Sequence, residues 1–307
     1  MNGYHWFKYV PLSVLQAVAR LVALLIVWLP EVSLVRSIRL NMRLIDSIHA
    51  DTSKRMVREI VQNQCLSTVE SIKSWAMPPQ WSIAQIHTVH NEHLLKDALN
   101  NPHGMLAIVP HLGTWEIMNA WLNQFGAPTI LYKPAKSGKM DEFMLHGRSQ
   151  LNATLVPTDS SGVKAIFKTL KAGGFSIILP DHVPDPSGGV IVPFFGVETL
   201  TSTLASKLAS KTKCALVGLA CIRREDAQGF DIYCYEFNDP DLYARDANVS
   251  TTALNTAMQQ VIEPHFSHYM WGYRRFKHVP ELGNPYRADP DKLEAFIKKQ
   301  RESHHSS

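Results

Sequence analysis

From residue 105 onward, short apolar runs alternate with helical patterns: "MLAIVP", "WEIMNAWLNQF", "TILY", a helix around "VKAIFKTLKAG", "FSIILP", "LTSTLASKLASK" and "CALVGLACI". Short apolar runs bounded by chain-breaking residues read as strands covered on both faces, and an intervening helix carries the chain back so that successive strands run parallel. The expectation is an α/β fold with a mixed, mostly parallel central sheet flanked by helices. The alternating "FDIYCYEF" reads as a strand near an edge, half of it facing solvent. Upstream, a helical stretch is expected from Pro30 to about Trp75, with Met56, Val57, Ile60, Val61, Val69 and Ile72 at three- and four-residue steps. "MPPQW" ends it, since neither proline can continue a helix.

Val10 to Leu29 is a twenty-residue apolar segment interrupted only by Pro11, Ser13, Gln16 and Arg20. That length just suffices for a transmembrane span, and the polar interruptions suit a shallow interfacial helix equally. The expectation is an N-terminal membrane-associated helix over residues 1–30, a main domain over 31–285, and a charged C-terminal helix and tail over 286–307 with no role beyond solubility. Arg36, Arg39 and Arg43 load the downstream flank with positive charge, which keeps the body of the chain on the cytoplasmic side. A net charge of +4 is too small to imply nucleic acid. Cys65, Cys214, Cys221 and Cys234 form no C-x-x-C pair, so neither a zinc ribbon nor a disulfide framework is suggested.

Two segments share a grammar: "MLAIVPHLG" and "FSIILPDHVP" each put a proline after an apolar run and an ionisable residue straight after the proline. Proline ends the ladder, so His111 and Asp181 belong just past strand ends, where parallel sheets form clefts. Lys133 after "TILY" and Arg223 after "LACI" border the same crevice by the same reasoning. Gly113 turns the chain, Thr114 serves as N-cap, and Glu116 falls in the first turn of the next helix. His111 and Glu116 are five apart. That spacing is weak alone: with 14 histidines and 27 acidic residues in 307, about one chance match is expected, and His87 with Glu92 also fits. The setting separates them. His87, His90 and His93 lie in a polar segment whose helical spacing suggests a metal, though a solvated face explains it better.

At His111, a carboxylate that holds the imidazole tautomer leaves the other nitrogen free to accept a proton. With no G-x-S-x-G elbow, P-loop or G-x-G-x-x-G present, a base without a neighbouring nucleophile points to activation of the substrate's own hydroxyl.

"HLGTWE", "YKPAKSGKMDEFMLHGRSQLNATLVP", "GGFSIILPDHVPDPSGGVIVPFFGVETLTST" and "YMWGYRRFKHVP" together resemble the bacterial lipid A biosynthesis acyltransferases, the late enzymes that add secondary lauroyl or myristoyl chains. The resemblance covers about residues 4 to 280. It implies a glycerolipid-acyltransferase-like fold, His111 and Glu116 as a catalytic dyad, and an arginine role at Arg148. Tyr273 departs from the family, in which histidine commonly precedes the two arginines. The implied enzyme sits at the bacterial inner membrane, facing the cytoplasm. It takes a fatty chain from acyl carrier protein and esterifies a hydroxyacyl group of a lipid A precursor, without cofactor or metal.

In this reading His111 is the base and Glu116 orients it. Arg148, Lys133 and Arg223 pin a phosphate or the pantetheine arm, or stabilise the oxyanion, with ordinary surface charge the competing account of Lys133 and Arg223. Asp181 fixes Arg148 or the loop, or contacts substrate. Arg274 and Arg275 meet carrier protein or lipid phosphates, or pair structurally. Two alternatives stay open: an acyltransferase for another glycolipid or for glycerol phosphates, and a non-catalytic membrane lipid-binding protein.

Overall fold

In the computed structural model the described residues are 4–29, 31–45, 54–135, 137–226 and 228–304. The first helices are α1 (Leu12–Val27), α2 (Ser33–Leu44), α3 (Lys54–Ala76) and α4 (Pro79–Ala84). The expected single helical stretch is thus two helices, and residues 46–53 between them lie outside the described residues. Pro79 opens α4 at a position where a missing N–H costs nothing.

Strand β1 (Ile86–His90) and helix α5 (Glu92–Leu99) follow, so His87 and His90 stand on a strand rather than on the helix considered for a metal. Then come β2 (Met105–Ile108), α6 (Trp115–Leu122), β3 (Thr129–Tyr132), α7 (Gly138–Arg148), β4 (Thr154–Pro157), α8 (Ser160–Lys171) and β5 (Phe175–Ile178). A hairpin of β6 (Gly189–Phe194) and β7 (Val197–Ser202) precedes α9 (Leu204–Thr212). The chain closes with β8 (Ala215–Arg223), β9 (Phe230–Glu236), α10 (Ala247–Ile262) and α11 (Pro290–His304).

Among the described residues, seven strands form one sheet in the order β1-β9-β8-β2-β5-β3-β4. Every neighbouring pair is parallel except β8 with β9, so the sheet is mixed and mostly parallel. β2 and β5 are buried along their whole length. They lie at the centre with helices on both faces, and so carry no polar alternation. β9 alternates, with β1 outside it.

The β6–β7 hairpin was not legible in "VPFFG" and "TLTS", where part of a helix was expected. Its turn places Phe195 at φ 49° and Gly196 at φ 76°, the paired positive angles of a tight hairpin turn. A phenylalanine there is strained, and full burial against Trp271 and Phe266 offsets the strain.

α1 is 16 residues long, about 24 Å at the helical rise, against roughly 30 Å of hydrocarbon. Among the described residues no helix is long and apolar enough to cross a membrane, so the expected transmembrane span is not found there. Leu15, Ala19 and Ala23 face inward, and with them Gln16, whose amide donates to Glu70 at 2.9 Å. The opposite face exposes Val14, Val18, Leu21, Val22 and Leu25, continued by Trp28 and Leu29. At the C-terminus, α11 buries Ile297 in the main core and Lys299 pairs with Glu281, so this helix is docked as well as charged.

Candidate active site

β2 and β5 are adjacent parallel strands in register, with Ile108 opposite Ile178 and the Val109 N–H donating to the Ile178 carbonyl at 2.9 Å. Carrying the same 70-residue offset past the strand ends sets Pro110 beside Pro180 and His111 beside Asp181. The shared grammar of the two segments is therefore a spatial pairing. The His111 backbone N–H donates to Asp181 Oδ2 at 2.9 Å, and its ring Nδ1 lies 2.7 Å from Asp181 Oδ1. With Nδ1 assigned as the donor, Nε2 is left as the proton acceptor.

Asp181 is 2% exposed. Burial alone would raise its carboxyl. The charge and hydrogen bonds of His111 outweigh that and hold it well below the usual carboxylate range. Buried Tyr269 also contacts this carboxylate, and burial together with Asp181 pushes its phenol far up.

Glu116 does not hold the ring. It is buried in the first turn of α6, and both its oxygens accept from Arg148: Oε1 from Nη2 and Oε2 from Nε, the latter at 3.4 Å. The Arg148 guanidinium also lies over the Trp115 ring, 4.9 Å from its centroid. The partners are thus exchanged relative to the sequence reading: Asp181 pairs with His111, and Glu116 pairs with Arg148. The reason is positional, since Asp181 and His111 lie three residues beyond the ends of adjacent strands, whereas Glu116 has already turned into a helix.

Thr114 sits at the N-cap position of α6 but makes no side-chain cap, because its hydroxyl donates to Glu70 at 2.6 Å. Gly113 has φ +62°, and a Cβ there would stand 2.0 Å from the Cys221 carbonyl oxygen. Its N–H donates to the His268 carbonyl, while the Thr114 N–H takes the Cys221 carbonyl. Gly113→Ala is expected to cost about 3 kcal/mol or more, combining left-handed strain with a backbone clash. Gly283→Ala, at φ +72° with nothing within 4 Å of the added carbon, is expected to cost only about 1 kcal/mol. Melting curves of the two variants measure the contrast.

Two cavities, of about 340 and 360 Å³, meet at His111 and share Trp115. The first carries Lys133 and Arg148 over an apolar floor that includes Leu131, Ile177 and Leu204. The second is lined by Gln64, Ser67, Ser71 and Trp75 of α3 and by Met140 and Met270. His182, for which the sequence alone suggests no role, lines the first cavity with its ring centroid 4.1 Å from that of His111. Desolvation, with His111 beside it, pulls its imidazole below the ordinary range. Tyr273, the family departure, packs on His182 at 4.9 Å and accepts a hydrogen bond from the Val183 N–H.

Arg223 is not brought to this site. It ends β8 at the same rim, but its guanidinium is taken up by both oxygens of buried Glu70 and by Asn63 Oδ1 at 2.9 Å. Arg275 is 1% exposed and donates to the Leu200 carbonyl and to Thr201 Oγ1, so it meets no outside partner. Arg274 is bound to Ser33 and Ser37 of α2. Doublets of basic residues read as surface from sequence alone, and nothing in "YRRF" signals that one of them is enclosed.

Residues 6–278 match the family described as bacterial lipid A biosynthesis acyltransferase. The chain is 28% identical over 234 residues to the lipid A biosynthesis lauroyltransferase of Escherichia coli, covering 74% of each. It is 23% identical to the palmitoleoyltransferase of the same organism, covering 75% of this chain and 74% of that one. Similarity extends to the phosphatidylinositol mannoside acyltransferase of Mycolicibacterium smegmatis, 24% identical over 252 residues and 80% of each chain.

Proposed function

The chain belongs to the bacterial lipid A biosynthesis acyltransferase family, and on that premise we propose that it transfers a fatty acyl chain from acyl carrier protein to a hydroxyacyl group of a lipid A precursor. The observation that carries the mechanism is the two-point pairing of His111 with Asp181 where two cavities meet. Two cavities at one base suit a reaction that joins two long substrates.

Asp181 holds the Nδ1 proton, and Nε2 removes the proton of the acceptor hydroxyl. The alkoxide attacks the thioester carbonyl, the new C–O bond forms, and the C–S bond breaks. The departing thiolate takes back the proton from His111, so no acyl-enzyme intervenes. Arg148, steadied by Glu116, and Lys133 bring positive charge to one cavity, where they meet the anionic groups that both substrates carry. Glu116 keeps its importance by a different route, as a positioning residue for Arg148.

The exposed apolar stripe of α1 supports action at a membrane surface, with the helix lying in the interface rather than crossing it. We place the enzyme at the cytoplasmic face of the bacterial inner membrane. The mycobacterial relative favours a second reading in which the acceptor is another glycolipid. Purified protein offered acyl-loaded carrier protein and a tetra-acylated lipid A precursor is expected to yield a product heavier by one acyl group. An unchanged precursor, with acylation of a mannosylated phospholipid instead, would select the second reading.

A further inference from the structure

A second cleft lies away from His111. Of about 620 Å³, it is bounded by Val27 and Trp28 at the end of α1, by Arg39, Met42 and Arg43 of α2, and by Lys54 and Val57 of α3. The floor is apolar, since Met42 and Val57 are buried members of the main core. Three cations stand around it, and no carboxylate is among the described lining residues. Arg43 also reaches Glu294 of α11. Arg39 and Lys54 are exposed and have no ion-pair partner among the described residues.

The position of the cleft matters as much as its charge. Trp28, 83% exposed, forms its rim and also ends the apolar stripe of Val14, Val18, Leu21 and Leu25. A helix lying in the interface with that stripe downward carries Trp28 to headgroup depth, the level that indole rings favour. The cleft then opens where phosphodiesters are densest. An apolar floor with cations around it matches a molecule that carries both apolar and phosphate groups.

We propose that this cleft is a binding site for the headgroup of an anionic phospholipid, separate from the acyl-transfer site and serving to hold α1 on a negatively charged bilayer. The inference rests on the membrane-surface reading of α1, but not on the chemistry assigned to His111. Cations near an anionic leaflet each strengthen attachment by about fivefold, so Arg39 and Lys54 together account for roughly twenty-five-fold. Reversing both charges exceeds that.

The test is flotation of the full-length protein with vesicles of phosphatidylcholine alone and of phosphatidylcholine doped with phosphatidylglycerol. Wild type is expected to bind the doped vesicles at least about tenfold more tightly, an increment that added salt erodes. The Arg39→Glu/Lys54→Glu double variant is expected to lose the increment while keeping its attachment to phosphatidylcholine. Val18→Asp/Leu25→Asp is expected to lose both. Lys207→Glu/Lys211→Glu on α9, an equal change in net charge at residues that do not line the cleft, is expected to lose neither.

Retention of the increment in Arg39→Glu/Lys54→Glu, or its equal loss in the α9 control, overturns the site. Both cleft side chains are exposed and make no hydrogen bond or ion pair among the described residues, so melting temperature is expected to stay unchanged. If it falls, Arg39→Ala/Lys54→Ala replaces the reversal and must lose roughly twenty-five-fold. Turnover of detergent-dispersed substrate is read in parallel: its absence in wild type counts against the acyl-transfer reading alone, and vesicle binding decides the cleft.

Discussion

His111→Ala and Asp181→Asn are each expected to lower kcat/KM for acyl transfer by roughly a hundredfold or more, and their combination by little beyond either one. Removing the imidazole deletes the base. The asparagine acts through the tautomer: its amide donates toward Nδ1, moves the ring proton to Nε2, and leaves nothing to accept the substrate's proton. Glu116→Gln and Arg148→Gln form a second set, in which the double variant again resembles each single one, because Glu116 serves to hold Arg148.

A double-mutant cycle across the four positions reads the wiring directly. Strong coupling of His111 with Asp181 and of Glu116 with Arg148 is expected. If His111 couples to Glu116 at full strength and not to Asp181, the exchange of partners is refuted. Unchanged melting temperatures are needed to separate chemistry from folding, since Asp181 is buried and paired.

The second large effect is on stability. Arg223→Met is expected to cost about 3–5 kcal/mol, because Glu70 is left as an unpaired carboxylate in the interior. Glu70 is fully buried and accepts from Gln16 of α1, Thr114 before α6 and Arg223 of β8, so four elements meet at one side chain. A fall in melting temperature on the order of 5–10 °C is expected. The double variant Glu70→Leu/Arg223→Met is expected to recover much of it, since apolar replacement of both partners removes the buried charge. A double variant no more stable than Arg223→Met would mean that the network's geometry, rather than the unpaired charge, sets the loss. The neighbouring Lys73 anchors the N-terminal segment in a similar way, donating to the Phe7, Lys8 and Val10 carbonyls at 2.8–3.0 Å. Helix α1 and the segment bearing His111 are therefore tied to one helix, α3.

Much of this arrangement was legible in the residues. The sheet followed from the spacing of apolar runs, and the strand-end positions of His111 and Asp181 followed from the prolines before them. The partner of His111 was legible too, had the equal lengths of "IVPH" and "ILPD" been aligned as neighbouring strands. The five-residue spacing to Glu116 instead suggests a local pair. Local proximity along the chain misled there because the turn at Gly113 sends the two side chains apart. The "YRRF" doublet hid a buried guanidinium, and the apolar N-terminal segment hid a helix with two different faces.

What the amino-acid order determined alone was periodicity: which stretches become strands, where each strand must stop, and which ionisable groups are left at the stops. Those properties are local, set by backbone sterics and by water's rejection of apolar surface. Which charge neutralises which was decided only by tertiary structure, because β2 meets β5 at an offset of 70 positions and Glu70 reaches Arg223 at an offset of 153. A buried charge takes whichever counter-charge packing brings within hydrogen-bond reach, and no spacing along the chain encodes that distance.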